Sequence, residues 1–168
     1  MSPKSLRHTK KKSMIKADVV IDNKKWEKYI RFPKFYINKK LKKTEKKISV
    51  LKKNNLSFTI LLSGDRAVKK LNNKFRKKNK TTDILSFPFY EKKILNKLLK
   101  KKKTEIYLGD VIINLNKIVG QIKNKNFLLN FDKIWVHGLA HLLGHRHKSN
   151  RDFLIMKKLE NKLIKFSK

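Results

Sequence analysis

Apolar residues recur in this chain with two periods, and the switches between them lay out the expected elements. From Met14 to Ile21 the β-branched residues Ile15, Val19, Val20 and Ile21 predict a first strand. Trp26 to Phe32 reads as a short helix that stops before Pro33, because a residue preceding proline is pushed out of helical geometry. Between Phe35 and Leu51 the positions Ile37, Leu41, Thr44, Ile48 and Leu51 repeat every three or four residues with lysines between them. That spacing predicts one amphipathic helix with a cationic outer face. Leu56 to Leu62 predicts a buried strand, and Ser63-Gly64-Asp65 then opens a helix through Phe75 with Asp65 or Ser63 as its N-cap. A basic turn leads into a strand ending at Ser86 to Pro88, and Tyr90 to Lys103 reads as either a short cationic helix or a mobile flap. Ile106 to Ile113 is the next strand, and Leu115 to Leu129 a helix through Ile118, Val119 and Ile122. Asp132 stands where an N-cap belongs, before a helix carrying His137 and His141. Phe153, Leu154, Met156, Leu159, Leu163 and Ile164 mark a terminal amphipathic helix.

Strands scattered among helices without a strict βαβ repeat predict an α+β fold. The expectation is a small mixed β-sheet packed with about five to six helices in a single domain. A chain of 168 residues suits one such domain, with residues 1–12 set apart as a disordered basic arm and 13–168 as the folded unit. The absence of cysteine excludes disulfides and thiolate metal sites and fits a reducing cytoplasm. No apolar run reaches the length of a membrane span and no signal-peptide h-region opens the chain, so a soluble intracellular protein is expected.

Charge narrows the partners. Lys and Arg number 46 against 12 Asp and Glu, a formal net charge of +34 that attracts polyanions irrespective of sequence. Nucleic acid is the expected partner. Lysine, asparagine and isoleucine are all abundant, as A+T-rich codon usage alone would produce, so part of this charge is simply solvated surface.

The chemistry concentrates in His137 to His147, H-G-L-A-H-L-L-G-H-R-H, which holds all but one of the chain's 5 histidines. His137 and His141, four apart on a helix, stack on one face and can point at one ion. Gly144 is placed to end that helix in the left-handed conformation and turn His147 back toward them. His145 is the rival third ligand, but it would need an unbroken helix through Gly144. Three neutral imidazoles leave a fourth position open for water, the pattern of a catalytic zinc site, although nickel, cobalt or copper also accept such ligands. Metzincin proteases share the spacing but carry a Glu after the first His as general base, and here that residue is Gly138.

The string resembles the signature of the YbeY family of bacterial endoribonucleases, H-G-x-x-H-L-x-G-Y-D-H, matched at His137, Gly138, His141, Leu142, Gly144 and His147. His145 and Arg146 replace the family's Tyr-Asp pair. Two further blocks resemble the family in the right order: Asn72, Phe75 and Arg76 followed by Thr82-Asp83-Ile84-Leu85-Ser86-Phe87-Pro88, and Leu108-Gly109-Asp110. The resemblance implies one Zn2+ held by His137, His141 and His147 plus water, with Arg76 as a catalytic arginine facing it. It also implies metal-dependent cleavage of single-stranded RNA in 16S rRNA 3′-end maturation and ribosome quality control. The implied partners are ribosomal RNA, the ribosome and accessory ribosome-assembly or RNA-decay proteins. A metzincin-like zinc protease and a non-catalytic, zinc-stabilised ribosome-binding factor are the alternatives. Asp83 and Asp110 read as caps, strand-end residues or partners of a ligating histidine. Arg146, beside the third histidine, is expected to repel a metal and attract a phosphate.

Overall fold

The computed structural model describes residues 14–101, 105–121 and 126–168; the basic arm assigned to 1–12 lies outside them. Four strands form one sheet: β1 (Ile15–Ile21), β2 (Asn55–Ser63), β3 (Ile84–Pro88) and β4 (Glu105–Asn114). Their order across it is β1-β2-β4-β3, with β1 and β4 parallel to β2 and β3 antiparallel to β4. Around it lie α1 (Pro33–Thr44), α2 (Ser49–Lys53), α3 (Asp65–Arg76), α4 (Lys92–Lys100), α5 (Leu115–Gln121), α6 (Phe127–Leu142) and α7 (Asn150–Ser167). The fold is α+β on one mixed sheet, as the pattern predicts, with seven α-helices among the described residues. None of them is long and apolar enough to cross a membrane.

Alternation sets the two faces. Leu56, Phe58, Ile60 and Leu62 point from β2 into the larger core, where they meet Ile37 and Leu41 of α1 and Phe131, Trp135 and Leu139 of α6. On β4 the inward set runs Ile106, Leu108, then Val111, Ile113, so the parity changes midway. A bulge makes the change: Ser57 pairs with Tyr107 but Thr59 with Asp110, and the extra residue includes Gly109 at φ +126°. A Cβ on Gly109 would lie 2.1 Å from the Phe87 carbonyl oxygen, so only glycine lets β3 lie this close. The opposite face is covered in part by α3, whose Val68 and Leu71 pack on Leu61, Leu85, Phe87 and Ile112.

Several boundaries differ from the sequence pattern. The helix expected over 26–32 is a 3-10 turn at Lys24–Lys28, capped by Asn23 and pinned by the indole N–H of buried Trp26 to the Ser63 carbonyl at 2.8 Å. The single helix expected from Phe35 to Leu51 is α1 and α2, separated where Ile48 turns extended (φ −113°, ψ 118°). The apolar period runs through the break because Thr44, Ile48 and Leu51 are all buried on both sides of it. The helix expected over 115–129 is also two elements, since Leu128 and Leu129 belong to the first turn of α6, whose N-cap is Asn126; Ile122 lies outside the described residues.

Neither proposed cap in the next element caps it. Asp65 is the first residue of α3 and accepts from the side chains of Asn116 (2.6 Å), Asn114 (2.8 Å) and Thr81 (3.0 Å), while Ser63 Oγ donates to Asp22 at 2.6 Å. Asp132 is not an N-cap either. It lies buried inside α6, paired with the Lys40 ammonium of α1 at 2.9 Å and accepting from Tyr36 Oη at 3.1 Å and Trp135 Nε1 at 3.0 Å. This polar knot fixes α6 against α1 and so sets the height of the histidine helix on the sheet.

Candidate metal centre

α6 lies over β3 and β4, and the reason it can approach so closely is Gly138. A Cβ there would meet Val111 Cγ1 at 2.8 Å and Ile84 Cδ1 at 2.9 Å. With position 138 against the sheet, His137 and His141 fall on the flank of the helix, and their Nε2 atoms face each other at 3.0 Å. The helix then ends in a Schellman turn: the Gly144 N–H reaches the His141 carbonyl at 2.9 Å and the His145 N–H the Ala140 carbonyl at 3.0 Å, with Gly144 at φ +83°. That reversal brings the His147 ring to 5.7 Å from His137 and 5.1 Å from His141, centroid to centroid. One ring nitrogen from each of the three lies within 4.8 Å of the others, an arrangement that could hold a metal ion.

Hydrogen bonds choose the tautomers. His137 Nδ1 is 2.8 Å from Glu160 Oε1 and His141 Nδ1 is 2.9 Å from the His145 carbonyl; both partners only accept, so both Nδ1 atoms carry the hydrogen. With both rings neutral, the two Nε2 atoms confront each other as lone pairs, which repel unless a cation lies between them. Tetrahedral zinc–nitrogen bonds of about 2.0–2.1 Å put ligand nitrogens roughly 3.3 Å apart, close to this separation. The residues fit a divalent ion by donor type, tautomer and spacing.

Electrostatics keep His141 neutral. Burial, and then the neighbouring His137, push the His141 imidazole down to about 4, with His147 and Arg76 adding to the effect. Burial also pushes up the Glu160 carboxyl, but the hydrogen bond from His137, together with the Lys157 ammonium, outweighs it and holds the carboxyl below its ordinary range. A carboxylate–imidazole pair of this kind orients the ring and raises the basicity of Nε2.

The expected residues separate cleanly by position. His147, not His145, joins the other two imidazoles; His145 contributes its carbonyl, and its own ring is pushed down by burial and by Lys92. Arg76 ends α3, and its charge reaches His141 across the edge of β3. Its placement is set by Asn72, whose side chain donates to the Lys80 carbonyl at 2.7 Å and so ties down the basic turn that follows Lys77, left-handed at φ 56°. Asp83 accepts from its neighbours Ile84 N and Thr82 Oγ1, both at 2.9 Å, and Asp110 accepts from Tyr107 Oη at 2.6 Å. Asp83 stands just before β3 and Asp110 lies within β4, each with local partners. Arg146 is exposed. The sequence reading missed Glu160, although one signal marked it: an acid at the buried stripe of α7, four residues after Met156 and three before Leu163.

Fold and site together define an α+β domain with an open, three-imidazole group at a sheet edge, set in a strongly cationic chain. The chain belongs to the family described as Endoribonuclease YbeY, which it matches over residues 20–168. It is similar to the Endoribonuclease YbeY of Pelagibacter ubique, 43% identical over 159 residues covering 92% of this chain and 97% of the relative. It is also similar to those of Thermodesulfovibrio yellowstonii (39% identity, 71% of this chain and 74% of the relative) and Buchnera aphidicola subsp. Acyrthosiphon pisum (42%, 76% and 80%).

Proposed function

We propose that this chain is a metal-dependent endoribonuclease that cuts single-stranded RNA in the cytoplasm, acting in 16S rRNA 3′-end maturation and ribosome quality control. Family membership supports an endoribonuclease role. The observation that carries the metal dependence is the pair of bare Nε2 atoms 3.0 Å apart, each with its Nδ1 hydrogen committed elsewhere. His137, His141 and His147 would hold one ion; zinc suits an all-nitrogen set with an open position. A divalent ion there would supply Lewis acidity, able to polarise a phosphoryl oxygen and to bring the pKa of bound water near neutrality, about 7 for zinc.

The chain's own residues supply the rest. Glu160 and the His145 carbonyl hold the two imidazoles in the ligating tautomer. Arg76 offers a planar, permanently charged fork that grips a phosphate at two points and offsets charge developing on phosphorus. The lysine excess raises the local concentration of ribosomal RNA and of the ribosome, where accessory assembly or decay proteins would join it. The protease alternative loses ground at Gly138. A general-base glutamate at that position would be driven against Val111 and Ile84.

The test is incubation of the purified protein with a 16S precursor carrying its 3′ extension, with chelator and after metal is restored. Cleavage in the single-stranded extension, lost on chelation and regained with zinc, is the expected result. Persistent RNA binding with no cleavage under any metal would leave the non-catalytic assembly factor instead. Casein hydrolysis lost on chelation would mark the protease.

A further inference from the structure

α3 covers only part of its face of the sheet, and beyond its end lies a row of aromatic rings. Phe75, on the last turn of α3, meets Phe87 of β3 edge-on at 5.0 Å; Phe89 follows two residues on and meets Tyr107 of β4 at 5.8 Å. Two of these rings are largely in solvent, Phe75 at 57% and Phe89 at 64% exposure, and Phe87 and Tyr107 are half-buried. The row is held rather than loose: Tyr107 Oη is bound by Asp110 at 2.6 Å and Thr59 at 2.8 Å, and Gly109 keeps β3 and β4 close beneath it.

Its surroundings name the partner. Lys74 lies over the Phe75 ring at 5.3 Å, and the basic turn Lys77, Lys78 and Lys80 leaves the same helix end. Arg76, next in sequence to Phe75, ends the same helix, so the row begins one residue from the arginine assigned to the phosphate. Apolar rings with phosphate-sized cations at one margin suit a polyanion whose apolar faces are free, which is single-stranded nucleic acid. Asp110 places a negative charge on the floor, which keeps phosphates at the lysine margin and leaves the floor to bases.

Resting on the nuclease reading above, we propose that Phe75, Phe87, Phe89 and Tyr107 form a stacking platform for unpaired bases of the RNA strand whose phosphate Arg76 holds. The platform explains single-strand preference physically, because paired bases expose no face to stack.

The experiment measures binding of a labelled single-stranded RNA 12-mer to the full-length protein in chelator, where no cleavage competes, against the same strand in a duplex. Phe75→Ala combined with Phe89→Ala should weaken single-strand binding about tenfold or more, leave duplex binding alone, and leave the salt slope unchanged because phosphate contacts persist. Phe89→Tyr should restore most of the loss. A reporter removes ambiguity about folding: Trp26 and Trp135 are fully buried, so the new indole in Phe89→Trp dominates the response, and its emission should be quenched by the 12-mer. Parent and double variant binding RNA equally, or a double variant that changes oligomeric state and not RNA affinity, would overturn the platform while leaving the nuclease standing. A parent that neither binds nor cuts RNA would overturn both.

Discussion

Glu160 is the residue on which the histidine group most depends without being part of it. Its carboxylate holds the His137 Nδ1 hydrogen at 2.8 Å, so Glu160→Leu should free the ring to rotate and weaken metal binding about 10- to 100-fold, read by competitive zinc titration. Arg76→Ala should leave metal content unchanged and lower cleavage by about 10²–10³, as removal of a transition-state charge partner does, and Arg76→Lys should recover little because an ammonium cannot form the two-point grip. Arg146 is exposed, so Arg146→Asp should tighten zinc and weaken RNA only at low salt, with both effects small at physiological ionic strength. A pH effect follows from His141. Its folded value of about 4 lies below the ordinary 6.5, so between these values the unfolded chain binds more protons. The metal-free protein should therefore have its full His141 contribution above about pH 6.5 and lose it as pH falls toward 4; Glu160, shifted down as well, adds a loss of the same sign at lower pH. Thermal melts in chelator across that window would show Tm falling on acidification, and a flat Tm would contradict the burial assigned to His141.

At the scale of elements, the histidine turn was legible because every part of it is local: four-residue spacing on α6 and a glycine whose left-handed φ of +83° reverses the chain. The choice of His147 over His145 followed from that glycine alone. What the sequence concealed depends on partners far along the chain. Asp132 looks like a cap to any local reading, yet its partners Lys40 and Tyr36 come from α1, and only the packed fold shows it as a buried ion pair. The helix break at Ile48 was hidden because apolar periodicity continues through it, and the new helix that starts after Asn126 is marked locally only by that cap residue. The parity change in β4 has the same character, since the glycine that makes it is visible and its reason, the Phe87 carbonyl across the strand pair, is not. Two expectations follow. Asp132→Ala should cost roughly 3–5 kcal/mol in denaturant unfolding, because it strands the Lys40 ammonium in a largely buried position. Gly109→Ala should cost at least about 1–3 kcal/mol, since the bulge must shift to admit a Cβ at a φ of +126°.

For the whole molecule, the net charge of +34 and the histidine group do different work. Charge gives affinity without selectivity, so RNA binding should weaken steeply with salt in the parent and in any histidine variant alike. On the proposed reading the chemistry requires the three imidazoles to act together, which ties the central claim to one measurement: cleavage of single-stranded RNA by metal-stripped protein as zinc is added back. The account predicts no cutting by the stripped protein and recovery that saturates at one equivalent of zinc, with His141→Ala still binding RNA but staying inactive at that level. Cleavage by the stripped protein in chelator, or by His141→Ala at parental rates, would place the active centre elsewhere in the chain.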